Sequence, residues 1–389
     1  MHLFQRFSTA ILLCFTASIV QAGEPLLQLV SITSKVLNEE RNITVQLPES
    51  YFRNIEQKYP LILRLDGAGN IPKESTILKT LYDAGSAPEV ILVAIENTNR
   101  LRDLAPYVNE DPRGPLGEGG GADKFLDFIE TELLPHLNKQ YRTTDFKVIA
   151  GASVAGLFTL HTLRTKSDLF DAHIAYSPAV WWGDHKTAKK LKEFMSVTKE
   201  LNSYLYMNIG SENIQMRKVY DDMLAGIEPN KPKNFNLATD FFPEVPHGLT
   251  SVAGLFNAYH KLFLPLIMPN SELKEGVGSI KNYYNRVSEQ RGRSVIAEEW
   301  VMRELGYYLV QNKDFKNAIE VFRYNIDLYP DMASAYNGLA YAYEQNKQFE
   351  ESLKQVNTSL KLSKEGDDGY DIYVSRKQRL INHLERNSK

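Results

Sequence analysis

The sequence predicts an α/β domain with a largely parallel sheet, followed by a small all-α domain built from helical repeats. From about Leu26 to Ile267, short β-rich runs alternate with longer amphipathic stretches, which is typical of a sheet covered by helices. After Pro269 no strand candidates follow, and two segments repeat at an offset of 34 residues. The net charge of −3 gives no reason to expect nucleic acid or an anionic membrane surface as a partner.

Residues 1–22 have the layout of a secretory signal peptide. Arg6 precedes an apolar run that ends at Val20, and Ala22 supplies a small residue for cleavage. This run is too short for a comfortable membrane span, and no later stretch reaches roughly 18 uninterrupted apolar residues. The single cysteine, Cys14, lies in this segment, so the mature chain has no thiol for catalysis, disulfides or metal binding. We therefore expect an exported, periplasmic protein.

Residues 23–269 are predicted to form the α/β domain. Several of its β-rich runs are apolar on both faces, which indicates strands that are covered on both sides. Ala122–Tyr141 has apolar residues at helical spacing. The predicted strands are Ile43–Pro48, Leu61–Asp66, Val90–Glu96, Phe146–Gly151, Ala172–Ser177 and Tyr204–Gly210.

Residues 297–389 are predicted to be helical repeats, joined to the first domain by a polar, partly helical linker at 270–296. Leu305–Phe322 aligns with Leu339–Val356. This segment resembles tetratricopeptide repeats, and a helix at Tyr370–Arg386 would cover the open end of the stack. The residues that match the repeat pattern are Trp300, Gly306, Tyr308, Ala318 and Pro330.

One serine, Ser153, stands among small residues in the run VIAGASVAGLF at 148–158. A predicted strand precedes it and a predicted helix follows it, which is the context of a nucleophile elbow. Gly151 occupies the position two before the serine, whereas Ala155 occupies the position two after it. The alternative is that the small residues serve only a close contact between a helix and a strand.

A serine hydroxyl becomes a good nucleophile only when a base takes its proton and an acid orients that base. In an α/β-hydrolase the chain order is serine, acid, histidine. His247 lies late in the domain, in a loop bounded by proline and glycine, where a catalytic histidine belongs, although a loop histidine can also be merely solvated. The other histidines after the serine in this domain are interpreted as packed or surface residues: His161, His173, His185 and His260.

Glu212 is the candidate acid because it follows the carboxyl end of a predicted strand. The alternative is that Ser211 and Glu212 cap the next helix. Asp221, Asp222 and Asp240 are further candidates, the first two in mid-helix facing solvent.

Two backbone N–H groups are expected to hold the oxyanion. Val154 would supply one from the start of its helix, and the glycine-containing loop Leu65–Asn70 would supply the other. An ordinary glycine turn would also account for this loop.

With these residues the chain resembles the esterase D-like branch of the α/β-hydrolases, nearest to its exported members that are like ferri-enterobactin esterase. The resemblance covers about Gln28 to Leu266. It is carried by Ser34–Tyr51, Tyr59–Asn70, Val93–Pro106, Phe128–Phe158 and Phe170–Trp182.

The resemblance implies a role for each matching position. Ser153 becomes the nucleophile and His247 the base. Gly67 or Ala68 joins Val154 in the oxyanion hole. Trp181 and Trp182 line or support the substrate pocket, and Arg100 and Asp103 either tie the following loop to the site or form a structural ion pair.

Three residues depart from the family pattern: Ala152 replaces a histidine or glutamine, Ala155 a glycine, and Glu212 an aspartate. A site that works as a Ser–His pair without an acid therefore remains an alternative to the triad.

The expected reaction is hydrolysis of a small-molecule carboxylic ester through an acyl-enzyme, with no metal or organic cofactor. An acyltransferase would use the same residues. In a third hypothesis the helical repeats act as a scaffold, through a protein partner or self-association. The sequence gives no positive support for an anionic iron complex as the substrate.

Overall fold

The computed structural model describes residues 26–112, 114–292 and 294–387, which form an eight-stranded sheet with helices on both faces, followed by a run of helices. This confirms the predicted fold class. The predicted signal peptide, residues 1–22, lies outside the described residues. The strands are β1 Leu27–Ser34, β2 Glu39–Gln46, β3 Tyr59–Arg64, β4 Ile91–Ile95, β5 Thr143–Ala152, β6 Ala172–Tyr176, β7 Tyr204–Ser211 and β8 Asn236–Pro246.

The strands lie in the order β1-β2-β4-β3-β5-β6-β7-β8. β1 and β2 pair antiparallel, as do β2 and β4, and every pairing from β4 to β8 is parallel. β3, β4 and β6 are buried throughout, as expected for strands that are apolar except for Arg64 and His173. Because the carboxyl ends of parallel strands meet at one edge, the loops after β3 to β8 gather there.

Helices cover both faces of this sheet. Arg64, on β3, and Glu74 form an ion pair buried beneath one face, where Tyr259 also donates a hydrogen bond to Glu74. A π-helical turn, Ile129–Leu133, joins the third and fourth helices. The helices are α1 Ile71–Asp83, α2 Arg100–Leu104, α3 Ala122–Phe128, α4 Leu134–Gln140, α5 Val154–Thr165, α6 Trp182–Val197, α7 Ile214–Ile227 and α8 Thr250–Phe263.

Six of these strands match the predicted ones to within a few residues, whereas β1 and β8 were not among them. β1 is an edge strand whose side chains alternate between exposed and half-buried along most of its length. β8, at the opposite edge, has only exposed and half-buried residues and ends in a proline. An edge strand needs little apolar surface, so its sequence carries a weak signal.

The C-terminal region contains six helices among its described residues: α9 Val277–Arg291, α10 Glu299–Gln311, α11 Phe315–Leu328, α12 Ala333–Gln345, α13 Phe349–Leu362 and α14 Tyr370–Asn387. The α12–α13 hairpin begins 34 residues after the α10–α11 hairpin, and the helix lengths are the same in both. Each hairpin turns through a lysine with φ 61°, Lys313 and Lys347. The predicted linker at 270–296 contains α9.

Phe322 explains how closely these helices pack. A Cβ added to Gly306 would lie 2.5 Å from the Phe322 ring, and one added to Gly338 would lie 2.3 Å from it. The ring therefore fills a space that exists only because both positions lack side chains. The first hairpin also approaches the sheet domain, where the rings of Tyr82 and Trp300 meet edge to face at 6.5 Å.

No helix in the part of the chain that the structure describes is long and apolar enough to cross a membrane.

Candidate active site

Ser153 lies on the sharp turn between β5 and α5. Its backbone has φ 58° and ψ −117°, a strained conformation for a residue with a side chain. The turn is held on both sides, because the Ser153 N–H donates to the Tyr176 carbonyl and the Ser153 carbonyl accepts from Ala179, each at 2.9 Å. A rigid bend thus presents the hydroxyl at the carboxyl end of a central strand.

The small residues around Ser153 are required by this bend. A Cβ on Gly151 would lie 2.5 Å from the backbone of Ala155, and a Cβ on Gly156 would lie 3.1 Å from Pro178 Cα. The methyl group of Ala155, a departure from the family pattern, is accommodated because Gly151 opposite it has no side chain. The close contact between helix and strand and the nucleophile elbow are therefore one structure.

His247 joins the serine to a carboxylate. Its Nε2 lies 3.0 Å from Ser153 Oγ, and its Nδ1 lies 2.7 Å from Glu212 Oε1. The imidazole is 40% exposed, whereas the Glu212 side chain is only 4% exposed. The histidine can therefore move protons at the surface while a buried carboxylate fixes its tautomer and orientation.

Glu212 directly follows β7, and it does not cap the next helix. Asn213 has that role, since its side chain accepts the Met216 N–H at 2.9 Å. Two of the alternative acids, Asp221 and Asp222, are exposed on α7. The third, Asp240, accepts hydrogen bonds from Tyr206, Asn257 and Lys261.

The remaining histidines have other surroundings. His161 is buried against Asp123 at 2.6 Å, and burial lowers its pKa although the aspartate opposes the shift. Burial lowers the pKa of His173 to about 3, and its Nδ1 lies 3.1 Å from Ser203 Oγ. His260 stacks on the ring of Phe256.

The two alternatives for the second backbone donor differ in what they already bind. The Gly67 N–H donates to the Ile95 carbonyl at 2.8 Å, so the expectation that it serves the oxyanion is wrong. The Ala68 N–H donates to the Glu96 carboxylate at 2.7 Å, a side chain that can move away. Val154 is the first residue of α5, so its amide has no acceptor within the helix.

Arg100 connects the turn at 66–68 to the strand that carries the serine. Its guanidinium pairs with Asp66 at 2.6 and 3.0 Å and reaches the Ala152 carbonyl at 3.4 Å. Asp103 is different, because it is buried and binds Arg41 and Arg102. Of the two residues expected either to connect this loop to the site or to form a structural ion pair, Arg100 contacts the surroundings of the site. Asp103 forms structural ion pairs.

Trp181 lines a cavity of about 500 Å³ between α6 and α7. Trp182 does not line it: the side chain is buried, and Nε1 donates to the Tyr107 carbonyl at 2.7 Å. Its ring packs against that of Trp181 at 5.7 Å, so of the two expected roles, lining or supporting, only support is open to Trp182. The cavity is also more basic than expected, because the lining includes His185, Lys189, Lys192 and Lys218 beside a single acid, Asp222. An anionic group would therefore be favoured here.

Sequence reasoning missed Asn208. This fully buried side chain accepts the Ser177 N–H at 3.0 Å and donates to the Thr250 carbonyl at 2.9 Å. Thr250 in turn donates to the His247 carbonyl at 2.9 Å, so Asn208 anchors the turn that carries the histidine. The signal was an amide in the middle of the apolar run YLYMNIG.

Among the described residues no three His, Cys, Asp or Glu side chains come together to hold a metal.

This strand order, with a serine, a histidine and a carboxylate joined at the carboxyl ends of the strands, defines an α/β-hydrolase. The chain belongs to the "Putative esterase" family, whose sequence profile matches residues 34–243. That match contains Ser153 and Glu212 and ends four residues before His247.

Two curated relatives have siderophore esters in their names. The chain is 41% identical to the ferri-bacillibactin esterase BesA of Bacillus subtilis over 86 residues, 22% of this chain and 30% of that protein. It is 34% identical to the siderophore enterobactin esterase of Emericella nidulans over 113 residues, 26% of this chain and 37% of that protein. The chain thus matches about a third of the length of these relatives.

Two solved structures resemble much more of the chain. An IroE-like serine hydrolase of Shewanella oneidensis is 26% identical, with a TM-score of 0.70 over 78% of this chain and 99% of that one. An uncharacterised protein of Capnocytophaga ochracea, 17% identical, covers 92% of this chain and 99% of its own, with a TM-score of 0.59. The second resemblance concerns the fold alone, and its coverage is great enough to include C-terminal helices.

Proposed function

We propose that this protein hydrolyses carboxylic esters through an acyl-enzyme formed on Ser153. The observation that carries the proposal is the chain of hydrogen bonds from Glu212 through His247 to Ser153, at 2.7 and 3.0 Å. Membership of the esterase family and the names of the relatives support the same reaction.

In the first half of the reaction, Ser153 Oγ attacks the ester carbonyl carbon while His247 Nε2 takes the hydroxyl proton. The carbonyl π electrons move to oxygen, and the amides of Val154 and Ala68 hold the resulting oxyanion. Collapse breaks the bond to the alkoxide, which leaves as an alcohol with the proton from His247. Glu212 stabilises the imidazolium between these two transfers.

In the second half, water takes the place of the alcohol. His247 accepts a proton from the water as its oxygen attacks the acyl carbon, and a second oxyanion forms on the same two amides. Collapse releases the carboxylic acid and returns the proton to Ser153 Oγ. The proton that Ser153 loses to the alcohol in the first half is replaced from water in the second half, so the full cycle restores the free enzyme.

For the substrate, we propose an ester of the siderophore type with an anionic portion. One relative is named as a ferri-bacillibactin esterase and another as a siderophore enterobactin esterase, which supports the siderophore type. The three lysines of the cavity beside Trp181 support the anionic portion. The lysines would attract an anionic group of the substrate to this cavity. Replacing all three lysines with alanine should raise KM for an anionic ester and leave KM for a neutral acetate ester unchanged.

The direct test of the reaction is a panel of chromogenic esters of increasing acyl length, assayed with the mature protein. We expect hydrolysis that Ser153→Ala and His247→Ala both abolish. Equal turnover in Ser153→Ala and the wild type would contradict the proposal. Transfer of the acyl group to an added alcohol, with little acid released, would instead identify an acyltransferase.

We also propose that residues 1–22 direct export to the periplasm and that the C-terminal hairpins are tetratricopeptide-type repeats. Arg6 and the apolar run support the first proposal, and the 34-residue spacing of two equal hairpins supports the second. Association through these helices with a partner or a second copy stays a prediction. Mass spectrometry of the protein from the periplasmic fraction should find the N-terminus at Gly23.

A further inference from the structure

A carboxylate covers the second amide of the oxyanion site. Glu96 follows β4 directly, and its Oε1 accepts the Ala68 N–H at 2.7 Å. Its Oε2 would lie 2.6 Å from a Cβ built on Gly67, so the carboxylate lies against the turn itself. The acceptor position that an ester carbonyl would need on this amide is therefore filled by the protein.

This carboxylate has no cationic partner among the described residues. No ion pair joins Glu96 to a lysine, arginine or histidine in that part of the chain. Arg100, four residues further on, uses its guanidinium on Asp66 and the Ala152 carbonyl. Glu96 is half-buried, whereas Asn97, Thr98 and Asn99 after it are exposed. A single negative charge, partly shielded from water, thus faces the place where the oxyanion forms.

Such a charge opposes the hydrolysis of most esters. A neutral acyl group must displace the carboxylate from the amide, and it carries no cation that could stabilise the displaced carboxylate. The negative charge of Glu96 then repels the developing oxyanion. An anionic acyl group adds a second repulsion. An acyl group with an ammonium on the carbon next to the carbonyl is different, because that cation lies close to the oxyanion and can pair with the carboxylate as it moves.

We propose that Glu96 is a specificity-determining residue: by occupying the Ala68 amide it slows the hydrolysis of esters with neutral or anionic acyl groups and favours esters of amino acids with a free α-ammonium. The inference rests on the proposed function and narrows its substrate class on the acyl side. It is compatible with an anionic group elsewhere in the substrate, since the lysines line a separate cavity between α6 and α7.

The test compares ethyl alaninate with ethyl propionate, which lacks the α-amino group, and with ethyl N-acetylalaninate, which keeps the α-nitrogen but carries no charge and is larger by an acetyl group. Assays at pH 7 keep most of the α-amine protonated. Because an ammonium also activates any ester chemically, the quantity to measure is the ratio of kcat/KM values for the charged and neutral esters in each variant. The full mature chain is used throughout.

We expect Glu96→Gln to lower this ratio by about tenfold or more, since it removes the charge and keeps the shape. Glu96→Ala should lower it too and should raise kcat/KM for ethyl propionate, because the amide is then open. Glu244→Gln is the matched control: it removes an exposed carboxylate three residues before His247, and the ratio should stay at the wild-type value. Thermal unfolding of each variant checks that the fold is intact.

Hydrolysis that depends on Ser153, with the same ratio in the wild type and Glu96→Gln, would overturn this inference and leave the proposed function standing. A fall in kcat/KM for all three esters in Glu96→Ala, with no change in the ratio, would also overturn it, because Glu96 would then merely support the turn. Failure of every variant to cleave any ester would overturn both proposals.

Discussion

The sheet domain and the C-terminal helices differ in how they use backbone strain and buried polar groups. At the carboxyl ends of the central strands, Ser153 and Ser177 have positive φ. Asn208 is buried there and connects the loops beside them. In the helical region, Lys313 and Lys347 have the same φ of 61° at equivalent hairpin turns. The sheet domain has unlike distortions beside the candidate site, whereas the helical region repeats one ordinary distortion at equivalent turns.

This difference indicates where function is to be sought. A strained serine costs stability, and it persists only where the surrounding structure holds it and where it is useful. A left-handed lysine at a helix end is a common termination and needs no function. Substitutions at the strand ends are therefore expected to change activity, and substitutions in the hairpins are expected to change stability.

The largest expected effect comes from removing the nucleophile. Ser153→Ala should lower kcat for a chromogenic ester by roughly 10⁴-fold or more, because only binding and the oxyanion donors remain. Thermal unfolding should stay within a few degrees of the wild type. Ser196→Ala, which changes an exposed serine on α6, is the control and should keep full activity. A similar loss in both variants would indicate damage to the fold.

Glu212→Gln decides between a triad and a Ser–His pair. The amide can donate to His247 Nδ1 and favour the wrong tautomer, so kcat should fall roughly 10²–10⁴-fold while KM changes little. The matched control is Asp221→Asn, an exposed carboxylate on the neighbouring helix. Activity within threefold of the wild type in Glu212→Gln would mean that the site works without its acid.

Phe322→Ala tests whether the helical region is a separate structural unit. Removing a ring packed against Gly306 and Gly338 should cost roughly 3–5 kcal/mol in the unfolding of that region, since neither glycine can fill the cavity. If the regions are independent, kcat/KM should stay within twofold of the wild type. Phe52→Ala, at a ring 39% exposed, should change stability by less than about 0.5 kcal/mol. A parallel loss of activity would show that the helices support the active site.

Glu298, just before α10, should make the helical region sensitive to pH. Burial, with a smaller contribution from Glu299, raises the pKa of Glu298 to about 7. The folded chain then binds this proton more tightly than the unfolded chain, so stability falls as pH rises from about 4.5 to 7.

Glu298→Gln should therefore raise the free energy of unfolding by about 2 kcal/mol at pH 8 and change it little at pH 4. Urea denaturation at both pH values measures the difference. Glu304→Gln, on the exposed face of α10, is the control and should give the wild-type pH dependence. Equal pH dependence in all three proteins would contradict a raised pKa at Glu298.

The sequence predicted the parts of the molecule that follow from chain order and periodicity. Ser153 and Glu212 could be proposed because each follows a predicted strand whose carboxyl end lies at the same edge of the sheet, and His247 because it comes later in the chain, in a loop bounded by proline and glycine. The 34-residue spacing predicted the two hairpins because both use the same helix lengths.

The sequence could not predict which of two adjacent residues has a given role in the structure. Trp181 and Trp182 have the same side chain, and only the local backbone turns one toward a cavity and the other into the core. The same holds for Gly67 and Ala68, whose amides point in different directions. The contact of Glu96 with the oxyanion turn joins two separate loops, and no local pattern records it.

The most direct test of the central claim is peptide mapping by mass spectrometry after treatment with a fluorophosphonate, which traps an activated serine. The account predicts a single phosphonylated residue, Ser153, and a labelling rate that falls at least about a hundredfold in His247→Ala. Label on another residue, or an equal rate of labelling without the imidazole, would contradict it.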